Sequence, residues 1–149
     1  MDELGNLERV IRTGADISAI LECIDSTRLA INGLLFPRSI AIGPPEFATQ
    51  SEREYFQLCK EKMTECSFEQ DLEEIPLHKQ SAEKMLVGLK VLPIPADNRN
   101  TLSWDDVLIY PTLRNLTMVK GLAMPPHVSH CVEFVAALTG TYTYYDRAS

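Results

Sequence analysis

Residues 101–107 mark the start of a predicted helix and constrain the fold of this chain more than any other stretch. Ser103 and Asp106 have the spacing of a capping box, in which side chains and backbone N–H groups three residues apart bond reciprocally. Leu102 and Val107 stand at the two positions of a hydrophobic staple, which fixes how the chain enters the helix. A carboxylate at the positive end of the helix adds to the effect, for a total of roughly 1–2 kcal/mol. These residues predict a helix start and indicate no catalysis.

Apolar residues at helical spacing continue along the chain, and no segment alternates as a strand would. The predicted helices cover about residues 2–12, 16–35, 51–66, 76–89, 103–120 and 126–139, with a short turn opened by a second capping box at Ser67 and Gln70. Pro37 is expected to end the second helix, because the residue before a proline avoids helical geometry. Pro111 is expected to kink the fifth helix or remove one of its hydrogen bonds, and Gly121 to end it.

Length, composition and charge narrow the class of protein. A chain of 149 residues with 45% apolar and 23% charged residues suits one globular domain. Its net charge of −7 argues against nucleic acid or an anionic membrane as a partner, since both need a basic surface. No apolar run approaches the roughly 20 residues of a membrane helix, and no secretory signal opens the sequence. We therefore expect a soluble, cytoplasmic protein.

The cysteines and histidines offer weak candidates for chemistry. Cys23, Cys59, Cys66 and Cys131 form neither a CxxC pair nor a zinc pattern, so reduced thiols are expected. Cys59, next to two lysines, is interpreted as a core residue on the same face as Tyr55 and Met63 rather than as an activated thiol. His127, His130 and Cys131 could converge on one helix face around a metal, but surface histidines beside a core cysteine are the favoured interpretation. No catalytic, cofactor-binding or metal-binding residue is predicted.

Two blocks of the sequence resemble a known family, the C-terminal helical domain of bacterial glutaredoxin 2. The first is Leu102-Ser103-x-Asp105-Asp106-x-x-x-x-Pro111-x-Leu113-Arg114-Asn115-Leu116-Thr117. The second is Leu34-Leu35-x-Pro37-Arg38, followed by Glu46-Phe47-x-Thr49-x-x-x-Arg53-x-Tyr55-Phe56 and Lys60-Glu61. The resemblance implies an all-α bundle of about six helices, like the C-terminal domain of glutathione transferases. It divides the chain into an N-terminal helical segment, residues 1–15, and the helical domain, residues 16–149.

The resemblance implies a glutathione-dependent thiol–disulfide oxidoreductase as the protein to which such a domain belongs. Members of the family carry a preceding thioredoxin-like domain with a Cys-Pro-Tyr-Cys motif and a glutathione site, and these 149 residues contain neither. No cofactor is therefore expected on this chain. It is interpreted as the stand-alone or detached helical half of such a protein, inactive alone. The alternative is a free-standing binding module on the same scaffold.

Two expectations concern contacts. Arg38 and Arg114, which lie in the matching blocks, are candidates to bind an anion, but are expected to pair with Asp105, Asp106 or Glu46 and tie helices together. The surface that a thioredoxin-like domain covers in the family is expected to be covered here by that domain in trans, by a second copy, or by an apolar stripe within residues 1–15. The stripe consists of Leu4, Leu7, Val10 and Ile11.

Overall fold

The computed structural model describes residues 16–43, 47–90, 92–93 and 101–149, and every regular element within them is a helix. The α-helices are α1 (Ser18–Ser26), α2 (Arg28–Ala41), α3 (Gln50–Thr64), α4 (Phe68–Glu73), α5 (Ile75–Gly88), α6 (Trp104–Leu116) and α7 (Pro126–Thr139), followed by a 3-10 turn, Tyr145–Arg147. The all-α prediction is confirmed for these residues, whereas the predicted helix 2–12 lies outside them. None of the described helices has both the length and the apolar character that crossing a lipid bilayer requires.

The hydrophobic core lies between α2, α5, α6 and α7. Leu34 of α2, Leu86 of α5, Leu113 of α6 and Val132 of α7 are completely buried, and Ile24 of α1 is 1% exposed. These side chains belong to one continuous apolar cluster. Because the cluster draws on five helices, tertiary packing rather than the propensity of any single helix stabilises the fold.

The helix across residues 16–41 differs from the prediction in two ways. It breaks at Thr27, where α1 ends and α2 begins, and α2 then continues through Pro37 instead of ending at Phe36. A proline inside a helix removes one backbone hydrogen bond, and here the burial of Leu34 on the preceding turn holds the helix together. The preference of the residue before proline is thus overridden by packing. Leu29 is one of the apolar residues at helical spacing in this stretch, yet it is 72% exposed.

Helix α3 contributes no buried residue, so the predicted core face of this helix is wrong. Its inner side meets α2 and α4 through Phe56, whose ring centre lies 6.1 Å from that of Phe36 and 6.4 Å from that of Phe68. The exposed residues that were expected in the core are Tyr55, Leu58, Cys59 and Met63. The helical period shows which apolar residues share a face, but not whether another element covers that face.

Local signals place the starts of helices better than their ends. The capping box of Ser67 and Gln70 opens α4 as predicted, and Pro76 lies in the first turn of α5. Pro111 lies inside α6. Gly121 is left-handed as expected, with φ 71°, but α6 already ends at Leu116.

Candidate functional site

The start of α6 is a buried capping box. The carboxylate of Asp106 accepts hydrogen bonds from the backbone N–H of Ser103 at 2.8 Å and from its hydroxyl at 3.0 Å. Ser103 is 3% exposed and Asp106 is 5% exposed. Hydrogen bonds to a charged group strengthen where water is excluded. The box therefore anchors α6 in the core and serves a structural role.

The two staple positions differ in their burial. Leu102 is half-buried, whereas Val107 is 40% exposed and does not face the core as expected. Ile109, which is 3% exposed, fills the core at this turn instead. The staple contact between Leu102 and Val107 stays a prediction.

Arg38 is buried and bonds to backbone oxygens rather than to carboxylates. Its Nε donates to the main-chain oxygen of Ser149 at 2.6 Å, and a terminal nitrogen donates to the carbonyl of Leu34 at 2.8 Å. Burial lowers the pKa of the Arg38 guanidinium from its usual value. Through these contacts Arg38 joins α2 to the C-terminal tail, and its candidate role in binding an anion stays a prediction.

Arg114 holds the same tail at a second place. Its Nε donates to the carbonyl of Tyr142 at 2.6 Å, and its guanidinium carbon lies 5.0 and 4.6 Å from the ring centres of Tyr142 and Tyr144. The two rings are nearly perpendicular, at 85°, so the guanidinium contacts them as a cation beside two aromatic rings. The described contacts of Arg38 and Arg114 do not include Asp106, so the expected ion pair with that residue is wrong. The expected pairs with Asp105 and Glu46 stay predictions, and Glu46 lies outside the described residues.

The histidines of α7 do not form a metal site. His127 and His130 are exposed, and a ring nitrogen of His127 contacts the carbonyl of Leu89. Cys131 is 5% exposed, and burial, followed by the nearby Asp106 carboxylate, raises the pKa of its thiol to about 11. In the part of the chain that the structure describes, no three His, Cys, Asp or Glu side chains are grouped to hold a metal ion.

The environment of Cys66 also disfavours a thiolate. All four cysteines are free. Burial raises the pKa of the Cys66 thiol, and the Asp71 carboxylate adds to that shift. Cys59 is exposed, and its hydrogen bond with Tyr55 raises the pKa of the tyrosine hydroxyl. A nucleophilic cysteine needs the opposite environment, one that favours the thiolate.

One buried polar pair was missed by the sequence analysis. Asp71 is 4% exposed, although it belongs to an acidic run from Glu65 to Glu74, and runs of charge ordinarily form a solvated face. Its Oδ1 lies 3.4 Å from Nε2 of His78, and both atoms lie where a Cβ on Gly33 would be, at 2.8 and 2.6 Å. The glycine of α2 therefore makes room for the pair from α4 and α5. A glycine inside an apolar helix was the available signal.

Three depressions in the described surface each have a volume of about 570–580 Å³. One of them, between α1 and α5, is lined by both Cys23 and His78. The Cys23 thiol, however, approaches the carbonyl of Met85 at 4.0 Å. Met85 lies seven residues beyond His78, which is about 10 Å along the helix. The two groups are too far apart to act as a nucleophile and its base.

Comparison with known proteins places these features in context. Residues 19–148 match the family model described as Glutaredoxin 2, C terminal domain. Glutaredoxin 2 of Escherichia coli strain K12 is 31% identical over 117 residues, which are 78% of this chain and 54% of that protein. Glutaredoxin 2 of Escherichia coli O157:H7 gives the same values. The chain thus spans about half the length of these curated relatives.

A solved structure extends the similarity to three dimensions. The crystal structure of glutaredoxin 2 from Salmonella typhimurium in complex with glutathione matches 98% of this chain and 67% of that one, with a TM-score of 0.85 and 30% identity. The resemblance based on the two sequence blocks is confirmed, as is the glutathione-transferase-like helical fold. The domain boundary at residue 15 stays a prediction.

Proposed function

Because the chain belongs to the family of glutaredoxin 2 C-terminal domains, we propose that it works as the helical partner of a thioredoxin-like domain. In this proposal the thioredoxin-like domain supplies the dithiol and the glutathione site. The helical chain supplies a docking surface and is not a thiol–disulfide oxidoreductase by itself. The raised pKa values of the Cys66 and Cys131 thiols support this division of labour, since a reactive thiolate needs a lowered pKa.

The observation that carries the proposal is an exposed apolar stripe on α6. Trp104, Val107 and Leu108 are 53%, 40% and 51% exposed, and Pro111 is exposed beside them. These residues follow at intervals of three, one and three positions, which puts them on one face of the helix. The opposite face packs in the core through residues such as Leu113. A helix that is apolar on both sides is typical of burial between two bodies, here the helical core and the thioredoxin-like domain.

A reconstitution assay tests the proposal. Glutathione-dependent reduction of a disulfide substrate is measured for this chain, for a separately expressed thioredoxin-like domain with a Cys-Pro-Tyr-Cys motif, and for their mixture. We expect no turnover by this chain and a higher rate for the mixture than for the thioredoxin-like domain alone. Trp104 is the single tryptophan of the chain and lies on the stripe, so its emission is expected to shift to shorter wavelength in the mixture.

Matched variants make the assay specific to α6. Leu108→Arg is expected to abolish both the gain in rate and the shift in Trp104 emission, because it places a charge in the contact. Leu77→Arg is the control, since Leu77 of α5 is also strongly exposed, at 62%, and lies off the stripe. Turnover by the isolated chain, or equal loss in both variants, would contradict the proposal.

A free-standing interaction module is the second candidate function. It is favoured by the apolar outer face of α3, which is exposed in addition to the stripe on α6. A mixture without any gain in rate, together with binding at α3, would support this candidate over the first. For either function we propose a cytoplasmic location, in which a compartment with reduced glutathione keeps the four cysteines free.

A further inference from the structure

The outer side of α3 is an apolar face with no partner among the described residues. Tyr55, Leu58 and Met63 are 71%, 67% and 56% exposed, and Cys59 is exposed as well. Tyr55, Cys59 and Met63 follow one another at intervals of four and form a ridge, with Leu58 beside its centre. Exposed apolar side chains that adjoin in this way indicate a binding surface rather than isolated surface residues.

The charged side chains of α3 are divided between the two sides of the helix. Lys60 lies on the inner side, with its Nζ 4.8 Å from the ring centre of Phe36. Glu61 also points inward, since its Oε1 accepts a hydrogen bond from the backbone N–H of Phe68 at 2.9 Å. Glu54 and Lys62, by contrast, are exposed. On the outer face, Glu54 thus lies before Leu58 and Lys62 lies after it, with the exposed Glu65 at the C-terminal end of the helix.

This arrangement is complementary to itself when the helix is reversed. Glu54 and Lys62 lie four positions before and four positions after Leu58. A two-fold axis at Leu58 sets two copies of α3 antiparallel, packs Leu58 against Leu58 of the second copy, and brings Glu54 opposite Lys62 in two places. A parallel arrangement would instead bring like charges together, which is unfavourable.

We propose that the outer face of α3 binds the same face of a second copy of this chain, in an antiparallel two-fold dimer. A single helix face covers less than the roughly 800 Å² per partner of a standard interface, so the association is reversible and depends on concentration. The surface involved differs from the stripe on α6. The dimer and the proposed function can therefore each fail without the other.

Sedimentation of the full chain over a range of concentrations tests the dimer. We expect a monomer–dimer equilibrium, and Leu58→Glu is expected to raise the dissociation constant by about tenfold or more, as loss of a central apolar contact does. Leu77→Glu on α5 is the matched control and is expected to leave the constant unchanged. Circular dichroism verifies that both variants fold, which is expected because neither leucine is buried.

A charge exchange tests the antiparallel orientation separately. Glu54→Lys and Lys62→Glu are each expected to weaken the dimer, because each places like charges opposite one another. The double variant, Glu54→Lys with Lys62→Glu, restores opposite charges and is expected to recover the wild-type dissociation constant. A chain that stays monomeric at all concentrations overturns the proposal. So does a dimer that is insensitive to Leu58→Glu, or a double variant that is weaker than either single one.

Discussion

The buried carboxylate of Asp71 lies 3.4 Å from Nε2 of His78, at the junction of α2, α4 and α5. Cys66 contributes its thiol to the same junction, since Asp71 is among the causes that raise the pKa of that thiol. The group brings an acid, an imidazole and a thiol together without exposing them to a substrate. Its role is to join a short helix, α4, to the core.

Gly33→Ala tests how tightly this junction is packed. Alanine normally stabilises a helix interior over glycine by about 0.5–1 kcal/mol. Here its Cβ would lie 2.6 Å from Nε2 of His78 and 2.8 Å from Oδ1 of Asp71, so a buried polar group must move. We expect a net loss of about 1–3 kcal/mol in the free energy of unfolding, measured by urea denaturation.

Two further variants show whether that loss of stability comes from the overlap at the junction. Gly88→Ala is the control, because the nearest atom to its new Cβ is the Cys23 thiol at 3.6 Å, an ordinary contact, and no loss is expected. Adding His78→Ala to Gly33→Ala is expected to remove the overlaps with the imidazole, leaving the one with Asp71, and thus to recover part of the loss through a coupling between the two sites. A Gly33→Ala variant as stable as the wild type would show that the side chains of Asp71 and His78 can move aside without cost.

Asp106→Ala is expected to lower the free energy of unfolding by about 1–2 kcal/mol. The change leaves the N–H and hydroxyl of Ser103 without their acceptor in a buried place. Glu52→Ala removes the corresponding carboxylate from the capping box of α3. That box is exposed, so water replaces the lost contacts and a smaller loss is expected. Equal urea midpoints for the two variants would show that burial does not increase the contribution of a capping box to stability.

Arg114→Lys is expected to loosen the C-terminal tail. Lysine keeps the charge but loses the guanidinium's hydrogen bond to the Tyr142 carbonyl and its contacts with the rings of Tyr142 and Tyr144, at a cost of about 1 kcal/mol. The readout is hydrogen exchange of the Tyr144 amide, which donates to the Thr117 hydroxyl at 2.8 Å and is expected to exchange severalfold faster. Arg147→Lys is the control, because Arg147 is 57% exposed and its pairing with Asp146 is a surface contact. If the Tyr144 amide exchanged at the same rate in both variants, the contacts of Arg114 with Tyr142 and Tyr144 would not be what holds the tail.

Alkaline pH is expected to destabilise the fold through Cys131. Its thiol has a pKa of about 11 in the folded chain, against about 8.5 for an ordinary cysteine. The folded state therefore holds the proton more tightly. The resulting stability is fully present below about pH 8.5 and is lost as the pH rises toward 11.

The expected loss across this range is about 1–3 kcal/mol, and it is absent from Cys131→Ala. The measurement is the free energy of unfolding of both chains at several pH values between 8 and 11. Tyrosines and lysines titrate in the same range in both chains and cancel in the comparison. Parallel curves would show that Cys131 does not contribute.

The correct predictions depended on patterns between residues that are close in the sequence. The boxes at Ser103 and Ser67 depend on neighbours three residues apart, so spacing alone was sufficient to find them. The continuation of α2 through Pro37 and the exposure of Leu58 depend on what packs against each helix, which spacing does not contain. For the same reason the pair of Asp71 and His78 could not be predicted. The two residues belong to different helices and come together only beside Gly33. The contacts of Arg38 and Arg114 with the backbone of the tail could not be predicted either, since the tail has no helical or strand periodicity that would place it.

The C-terminal tail, which follows α7, affects how the protein unfolds. Through Arg38 and through Met118, whose carbonyl accepts from the N–H of Ser149 at 3.0 Å, it connects the beginning of the bundle to its end. Contacts between such distant parts of the sequence favour cooperative unfolding, so we expect the core to unfold as one unit. Helix α3, with no buried residue, is expected to open at a lower free energy than the core. The helix that carries the exposed apolar face is therefore also the one expected to change its conformation most easily.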